Sequence, residues 1–236
     1  RKHKQLEASV LMNSDQIIVT SPQTKLILSK RTKSPVIVIT NGYDFEINKS
    51  CKLDTKFTLS HVGNLQDGRN PEFLWKTLHD LVQNSIDFSK HFRLNLIGYI
   101  SEAVLNSIRI YGLEAYTDYS GYVSHSEALE YQSRTQLLLL IEENSKETKY
   151  IIPGKLFEYI ASRRPIIAIG PDGSDIENIV TKSASGNYFR YEESELLSSV
   201  ILGYFERYKR NDLYVEPKEI EKYSRRNLTF ELSKLL

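Results

Sequence analysis

A glycine and a lysine stand directly before a run with helical spacing in the segment IIPGKLFEYIASRRPIIAIG, residues 151–170. A Gly-Lys pair at the start of a helix also occurs in the phosphate loop of many nucleotide-binding proteins. That loop needs a second glycine five residues before the pair, and a serine or threonine after the lysine to hold magnesium. Here Lys149 lies five residues before Gly154, and Leu156 follows Lys155. The spacing excludes a phosphate loop, so Lys155 needs a different explanation.

Short apolar runs alternate with longer amphipathic runs along the chain, which is typical of a parallel sheet with crossover helices. The apolar runs predict strands buried on both faces, at residues 16–20, 36–40, 57–63, 93–98, 137–141 and 165–170. The amphipathic runs predict helices, at residues 70–85, 101–112, 124–134 and 154–163. Ser124 and Glu127 form a capping box that opens the third helix. The predicted fold class is therefore α/β, with a doubly wound, Rossmann-like parallel sheet.

Ligands on sheets of this kind bind at the carboxyl ends of the strands. Four segments that follow predicted strands are therefore expected to line one crevice, at residues 63–70, 98–100, 121–125 and 150–156. Helix N-termini offer free N–H groups and the positive end of the helix dipole, which suit a phosphate. We predict that the amides of residues 154–156 cradle a diphosphate and that Lys155 adds a positive charge beside them.

The composition limits the partners and the compartment. Lysine and arginine number 31 against 30 acidic residues, so the net charge of +1 creates no overall field that attracts nucleic acid. Cys51 is the single cysteine, which excludes an intrachain disulfide and fits a reducing compartment. The longest apolar runs fall far short of the roughly 18 residues that a membrane span requires. We therefore predict a cytoplasmic protein, and docking on the inner face of a membrane stays open.

Five segments in this order resemble the donor-binding half of GT-B glycosyltransferases of glycosyltransferase family 4. They are NGYD (41–44), VGNLQDGRNPEFLWKTL (62–78), LNLIG (94–98), GYVSHSEAL (121–129) and IPGKLFEYIASRRPIIAIGPDGSDIENIV (152–180). The resemblance implies that the chain is the C-terminal half of a GT-B fold. It also implies four parts: a remnant of the N-terminal acceptor domain at 1–41, a linker at 42–56, a Rossmann-like donor domain at 57–210 and a C-terminal helix that crosses back at 211–236.

The resemblance implies a diphosphate site at the loop after the third predicted strand. Gly63 matches the glycine of the family in this loop. Asn64 stands where the family has an arginine, and Arg69 stands at its lysine position. Arg69 and Lys155 are therefore the residues that we expect to stabilise the departing diphosphate during catalysis.

The resemblance also assigns the nucleoside and the sugar. Glu158 matches the second of two glutamates that the family places eight residues apart, and this glutamate accepts hydrogen bonds from both ribose hydroxyls. Tyr150 stands in place of the first glutamate, which touches the donor sugar in the family. The identity of the sugar is therefore open. Glu142 and Glu143 are candidates to replace the missing carboxylate, and the alternative is that both are solvated loop acids.

The base is expected to contact main-chain groups, so it leaves no side-chain signature. The resemblance points to Tyr122, Val123 and Ser124 for the base edge, and to Tyr99 near the base or the ribose. The other predicted donor-binding residues are Gly98, Pro153, Gly154 and Leu156. His61 and His125 have no metal-ligand partner at a diagnostic spacing, so no metal is expected. No cofactor is expected beyond the nucleotide-sugar substrate, and a UDP-sugar is the commonest donor in the family.

The predicted function is that of a retaining nucleotide-sugar glycosyltransferase in surface polysaccharide or glycan synthesis. The chain would supply the donor-binding half, and a carbohydrate or lipid-linked acceptor would bind through an N-terminal domain that is mostly absent. The chain alone is therefore expected to transfer no sugar. Two alternatives remain: a non-catalytic nucleotide-binding module and a sugar-nucleotide epimerase of the same fold. A dinucleotide-dependent oxidoreductase is disfavoured because no G-x-G-x-x-G follows a strand.

Overall fold

Two parallel sheets are built by the described residues, 2–44, 51–191 and 193–235, of a computed structural model. The strands are β1 (Ile17–Val19), β2 (Val36–Val38), β3 (Phe57–Val62), β4 (Phe92–Ile97), β5 (Thr117–Gly121), β6 (Leu137–Ile141), β7 (Ile166–Gly170) and β8 (Gly186–Arg190). The helices are α1 (Lys2–Asn13), α2 (Pro22–Leu28), α3 (Glu72–Asn84), α4 (Ile86–His91), α5 (Glu102–Ile110), α6 (His125–Arg134), α7 (Lys155–Ala161), α8 (Asp175–Ser183), α9 (Ser194–Lys209) and α10 (Arg225–Ser233).

The larger sheet has the strand order β5-β4-β3-β6-β7-β8, and every pair in it is parallel. The order changes direction at β3 and β6, which start in the middle of the sheet and lead outward to opposite edges. Such a switch point leaves a crevice between the loops that follow the two central strands. The predicted fold class, α/β with a doubly wound parallel sheet, is confirmed.

The larger sheet carries helices on both faces, each over its own apolar core. On one face Phe57, Leu59 and Leu94 pack in a cluster with Trp75 and Phe205 from the helices. On the other face Leu138, Leu140 and Ile166 form a cluster with residues of α7 and α8. The central strands β3, β6 and β7 are buried along their whole length. Strands β6 and β7 are continuous apolar runs, as expected of strands buried on both faces. Strand β3 also buries the polar residues Thr58, Ser60 and His61.

The β1–β2 sheet is separate from the larger sheet. The segment after β2 is tied to the C-terminal region, because Tyr43 forms an isolated β-bridge with Ser224 and Arg225 N donates to Tyr43 O at 2.9 Å. Gly42 permits this approach, since a Cβ there would lie 2.3 Å from Tyr223 O. Residues 45–50 of the predicted linker lie outside the described part of the chain. The four-part division of the chain stays a prediction.

None of the helices in the described ranges is long and apolar enough to cross a membrane.

Candidate functional site

Main-chain hydrogen bonds join three loops at the carboxyl edge of the larger sheet. Gly63 N donates to Ile97 O at 2.7 Å, and Gly98 N donates to Gly121 O at 2.7 Å. Leu65 then pairs with Ile100 in an isolated bridge, which couples the loops after β3 and β4. The loops after β3, β4 and β5 therefore lie side by side, as the parallel topology predicts.

Gly63 and Gly98 are required where these loops meet the loop before α7. Gly98 has φ +119°, and a Cβ on it would lie 2.6 Å from Gly63 O. Gly63 has φ +121°, and a Cβ on it would lie 3.2 Å from Lys155 Nζ. Residues with a side chain rarely adopt such positive φ angles. The two glycines thus let the β3 loop approach the β4 loop on one side and Lys155 on the other.

The Lys155 side chain reaches back over the end of β3. Its Nζ donates to Val62 O at 3.1 Å and lies 3.4 Å from His61 Nε2. Burial, and secondly the nearby charge of Arg69, lower the pKa of Lys155 to about 7. Both causes disfavour the charged form, and Glu158 only partly opposes them. Lys155 is thus a cation that lacks a close negative partner.

His61 accepts a hydrogen bond from Lys155 because of its tautomer. Its Nδ1 lies 3.0 Å from Leu139 O, and a carbonyl only accepts, so Nδ1 carries the proton. Burial and the charge of Lys155 hold the pKa of His61 well below its usual range. The neutral ring then offers the lone pair of Nε2 to Lys155. His61 therefore positions Lys155, a role that the sequence did not indicate.

Tyr159 also holds the carboxyl end of β3, from the core side. Its hydroxyl accepts from Val62 N at 3.0 Å and donates to Val62 O at 3.2 Å, and the side chain is fully buried. One residue at the end of β3 thus contacts both Tyr159 and Lys155, which lie one helical turn apart on α7. This contact locks α7 against the β3 loop.

Arg69 is the second cation of the site. It ends a 3₁₀ turn (Asp67–Arg69) and is half-buried. Its guanidinium has no hydrogen bond or ion pair with the rest of the described chain. Its charge nevertheless acts on Lys155, His61 and Glu142, lowering the pKa of each. Arg69 and Lys155 therefore lie within electrostatic reach of one another, with no carboxylate bound between them.

Glu158 carries the negative charge of the site, and both of its carboxylate oxygens are held. Oε1 lies 3.1 Å from His125 Nε2, and Oε2 accepts from Gln132 Nε2 at 3.0 Å. Gln132 is 2% exposed, whereas the His125 side chain is 73% exposed. Gln132 thus fixes the carboxylate from the protein interior and His125 contacts it from the solvent side. Gln132 was missed in the sequence, since a polar residue on an amphipathic helix gives no signal of burial.

Two of the amides predicted to contact the donor already donate hydrogen bonds within the protein. Ser124 N donates to Glu127 Oε2 at 2.8 Å, which confirms the capping box and leaves no Ser124 amide for a base. Leu156 N donates to Pro153 O at 3.1 Å, and its side chain is fully buried in the core. The backbone atoms of Tyr122 and Val123, and the amides of Gly154 and Lys155, remain candidates.

The other predicted residues lie on the accessible side of these loops. Tyr122 is 76% exposed, Tyr99 is 46% exposed and Asn64 is exposed. Tyr150 is half-buried, and its hydroxyl forms no hydrogen bond with the described residues. These side chains make no polar contact with Lys155 or Glu158. Their assignment to the site stays a prediction.

A cavity of about 560 Å³ opens beside α7. Gly154, Lys155 and Glu158 line one wall. The other walls come from residues 39–42 and from α10. Lys155, a predicted phosphate ligand, and Glu158, the predicted ribose ligand, therefore face one space, which is bounded by the segment after β2 and by α10.

Within the described ranges, no group of three or more His, Cys, Asp or Glu residues could hold a metal ion.

No protein-family model matches the chain, and no curated protein matches its sequence. Solved structures do match. A sucrose-phosphate synthase from Thermosynechococcus elongatus superposes with a TM-score of 0.72 and 16% identity, covering 99% of this chain and 60% of that chain. The pneumococcal O-GlcNAc transferase GtfA, solved with UDP and GlcNAc, superposes with a TM-score of 0.71 and 16% identity, covering 100% of this chain and 47% of that chain. Anabaena HepE, solved with UDP, superposes with a TM-score of 0.71 and 14% identity, covering 98% of this chain and 67% of that chain.

The high TM-scores establish the fold of this chain. Because the identities are low, the likenesses establish the fold alone. The matched proteins are GT-B glycosyltransferases, and this chain has the fold of a part of such an enzyme. It spans between about half and two thirds of the length of the solved structures named above.

Proposed function

We propose that this chain binds a nucleoside diphosphate sugar and is the donor-binding half of a retaining glycosyltransferase. One observation carries the proposal. Arg69 and Lys155, two cations without a carboxylate partner in the described chain, converge at the sheet edge that also presents the Glu158 carboxylate. A nucleoside diphosphate matches this arrangement. Its diphosphate pairs with the positive charges of Arg69 and Lys155, and its two ribose hydroxyls donate to the carboxylate of Glu158.

Each residue then has a distinct role. Arg69 binds phosphate oxygens through its planar guanidinium, which can donate two hydrogen bonds to one phosphate. Lys155 adds a compact charge, and the amides of Gly154 and Lys155 donate beside it. Glu158 accepts hydrogen bonds from the ribose hydroxyls, and we propose that they replace the His125 contact while Gln132 keeps holding the other oxygen.

We further propose that the base is uracil, read by the main chain at Tyr122 and Val123 with Tyr99 nearby. UDP is the commonest donor nucleotide in the family that the sequence resembles. Two of the structurally similar proteins, GtfA and HepE, were solved with UDP bound. The Gly98 turn brings Tyr99 and the loop after β5 to the same edge.

The mechanism follows from where charge develops. When the bond from the sugar to the diphosphate breaks, negative charge grows on the leaving group. Arg69 and Lys155 are already in place to stabilise this charge, and preorganised electrostatic stabilisation commonly contributes more to the rate of an enzyme than any other single effect. We propose transfer on the face from which the diphosphate departs, without a protein nucleophile, and with any general base supplied from the acceptor side.

The proposal also covers the acceptor of the sugar and the place of the enzyme in the cell. We propose a carbohydrate or lipid-linked acceptor that binds through a second domain, in surface polysaccharide or glycan synthesis. The setting would be the cytoplasm, with docking at the inner face of the membrane. Assignment to glycosyltransferase family 4 belongs to this proposal as well.

Calorimetric titration of the chain with UDP, GDP, ADP, UMP and NAD tests the proposal. We expect UDP to bind more tightly than UMP. Arg69→Ala and Lys155→Ala should each reduce that preference about tenfold, since each removes one charge-assisted contact to the second phosphate. Lys146→Ala is the matched control, because Lys146 is an exposed lysine in the loop before α7. Binding of NAD without binding of UDP, GDP or ADP contradicts the proposal.

One observation favours a second candidate, a nucleotide-binding module without transferase activity. Asn64 is exposed in the β3 loop and carries a neutral amide where the resemblance implies an arginine. A site with one cation fewer binds a diphosphate but stabilises its departure less. Turnover, and not binding, separates the two candidates.

A further inference from the structure

A buried carboxyl group outside the ligands assigned above stands at the end of β6. Glu142 is 5% exposed, and its Oε2 accepts from Ser174 Oγ at 2.9 Å. Its other oxygen, Oε1, has no hydrogen-bond partner in the part of the chain that the structure describes. Glu142 directly follows the strand, so it lies at the carboxyl edge of the sheet where the loops of the candidate site converge.

The backbone and side chain of Glu142 are held rigidly. Glu142 N donates to Ile169 O at 2.8 Å, and Tyr191 OH donates to Glu142 O at 2.6 Å. Gly170 makes room for the carboxyl group, because a Cβ there would lie 2.7 Å from Oε2. A strand end, a tyrosine and a serine thus fix the direction of this side chain, which is the preorganisation that a specific ligand contact needs.

This arrangement has no evident benefit for stability. Most of the carboxyl group is removed from water, which is unfavourable for its charged form. Oε1 is not among the fully buried polar atoms that lack a partner, so solvent still reaches it. Burial raises the pKa of Glu142 to about 7, although the Ser174 hydrogen bond and the charge of Arg69 act to lower it. Arg69 does not form an ion pair with it, so the unpaired acceptor remains free for a ligand.

The position of Arg69 links this carboxyl to the diphosphate. A Cβ at Gly68 would lie 3.1 Å from Glu143 Cδ, so the turn that carries Arg69 lies against the loop that begins with Glu142. The charge of Arg69 acts on the pKa of both Lys155 and Glu142. In a nucleotide sugar, the hydroxyls of the sugar follow directly after the second phosphate. An acceptor next to a phosphate-binding arginine is therefore placed for a sugar hydroxyl.

We infer that Glu142 determines sugar specificity: its Oε1 accepts a hydrogen bond from a free hydroxyl of the donor sugar. The inference rests on the proposed function. It also separates Glu142 from Glu143, which is exposed and packs with its carboxyl group against Gly68. Tyr150, at the position where the resemblance implies a carboxylate, then leaves the sugar contact to Glu142.

The test compares UDP with UDP-glucose, UDP-galactose and UDP-N-acetylglucosamine by calorimetric titration of the full chain. We expect Glu142→Gln to leave the Kd of UDP within about twofold. The extra affinity of the best-bound UDP-sugar over UDP should fall about tenfold. Glu142→Leu, which cannot accept a hydrogen bond, should give a loss at least as large. Glu143→Gln is the matched control and should change neither value.

Deoxyfluoro analogues of the best-bound sugar identify the hydroxyl. One analogue should bind the unchanged chain about tenfold more weakly, and Glu142→Gln should weaken this analogue no further, because the contact is already lost. A merely structural role would instead change UDP and UDP-sugar affinities by the same factor, and that result overturns the inference. The inference also fails if Glu142→Gln changes no affinity, or if no UDP-sugar binds more tightly than UDP. Absence of any binding by UDP, GDP or ADP overturns the proposed function as well.

Discussion

Among single residues, Lys155 links nucleotide binding to pH. Its pKa is lowered to about 7 by burial and by Arg69, so in the free protein it is only partly charged at neutral pH. A bound diphosphate favours the charged form and raises this pKa, so binding takes up a proton. We expect the affinity for UDP to fall about tenfold between pH 6.5 and pH 8.

Calorimetry in buffers with different ionisation enthalpies measures this proton uptake. Lys155→Arg provides the control, because a guanidinium stays charged throughout this range. Its affinity for UDP should vary less with pH than that of the unchanged chain. Equal pH profiles for the two proteins would mean that Lys155 does not contact the diphosphate.

Glu142 affects stability with a defined pH dependence. Its pKa is raised from an ordinary 4.5 to about 7, so between these values the folded state binds more protons than the unfolded state. The free energy of unfolding therefore falls as the pH rises from 4.5 through 7, and the penalty is complete above 7. Glu142→Gln has no carboxyl group to ionise. As the pH rises from 5 to 8, the free energy of unfolding of this variant should therefore increase by about 2 to 3 kcal/mol relative to that of the unchanged chain. Urea unfolding of both proteins at these two pH values gives the difference; parallel stability curves would contradict the shift.

At the scale of elements, the turns before α7 and after β4 use glycine for different reasons. Gly98 has φ +119° and no room for a Cβ, so Gly98→Ala should lower the free energy of unfolding by about 2 to 4 kcal/mol. Gly154 has φ −55°, and a Cβ there meets nothing within 4 Å. Gly154→Ala should therefore leave stability unchanged or raise it by up to about 1 kcal/mol.

The same pair of variants tests whether the diphosphate lies against the α7 turn. A methyl group at residue 154 occupies the open space in which we place the phosphate, so the affinity for UDP should fall about tenfold although the fold is intact. Urea unfolding and UDP titration on each variant separate the two effects. Unchanged UDP binding by Gly154→Ala would remove the diphosphate from this turn.

The elements that the sequence predicted well are those in which one physical signal dominates. The buried strands β6 and β7 are continuous apolar runs, and the capping box fixes the start of α6. Strands β5 and β8 were not predicted because they are the edge strands of the larger sheet and have mixed polarity; β5 exposes Asp118, and β8 exposes Asn187 and Arg190. Edge strands need neither two apolar faces nor a continuous apolar run.

The roles of the charged residues in the candidate site stay predictions. Lys155 was proposed from its place at a helix start, and Arg69 and Glu158 were proposed from the resemblance to the family. Gln132 and His61 were not, because their roles depend on burial and on a partner far away in the sequence. The sequence also does not show that the Ser124 and Leu156 amides already donate hydrogen bonds within the protein.

At the scale of the whole molecule, the cavity beside α7 lies between the segment after β2 and the C-terminal helix α10. Its walls combine Lys155 and Glu158 with residues 39–42 and with Leu228 of α10. Farther along, Gln23 N donates to Asp175 Oδ2 at 3.1 Å, so the β1–β2 region also touches the start of α8. The small sheet and the C-terminal helix therefore border the loops at which we place the donor.

This arrangement predicts that the chain binds a donor but does not transfer its sugar. In the proposed enzyme the acceptor lies between two domains, and closure of one domain on the other excludes water and completes the site. Among the described residues, β1, β2 and two helices precede the larger sheet, and we propose that the acceptor crevice is supplied by a further domain. Release of UDP from the best-bound UDP-sugar should therefore stay far below about 1 per second, the lower end of ordinary enzyme rates, with or without carbohydrate or lipid-linked acceptors. Lys155→Ala is the background control for this assay. Acceptor-dependent release on the order of 1 per second or faster, abolished in Lys155→Ala, would mean that the acceptor site lies within these residues and that the proposed division between donor and acceptor domains is wrong.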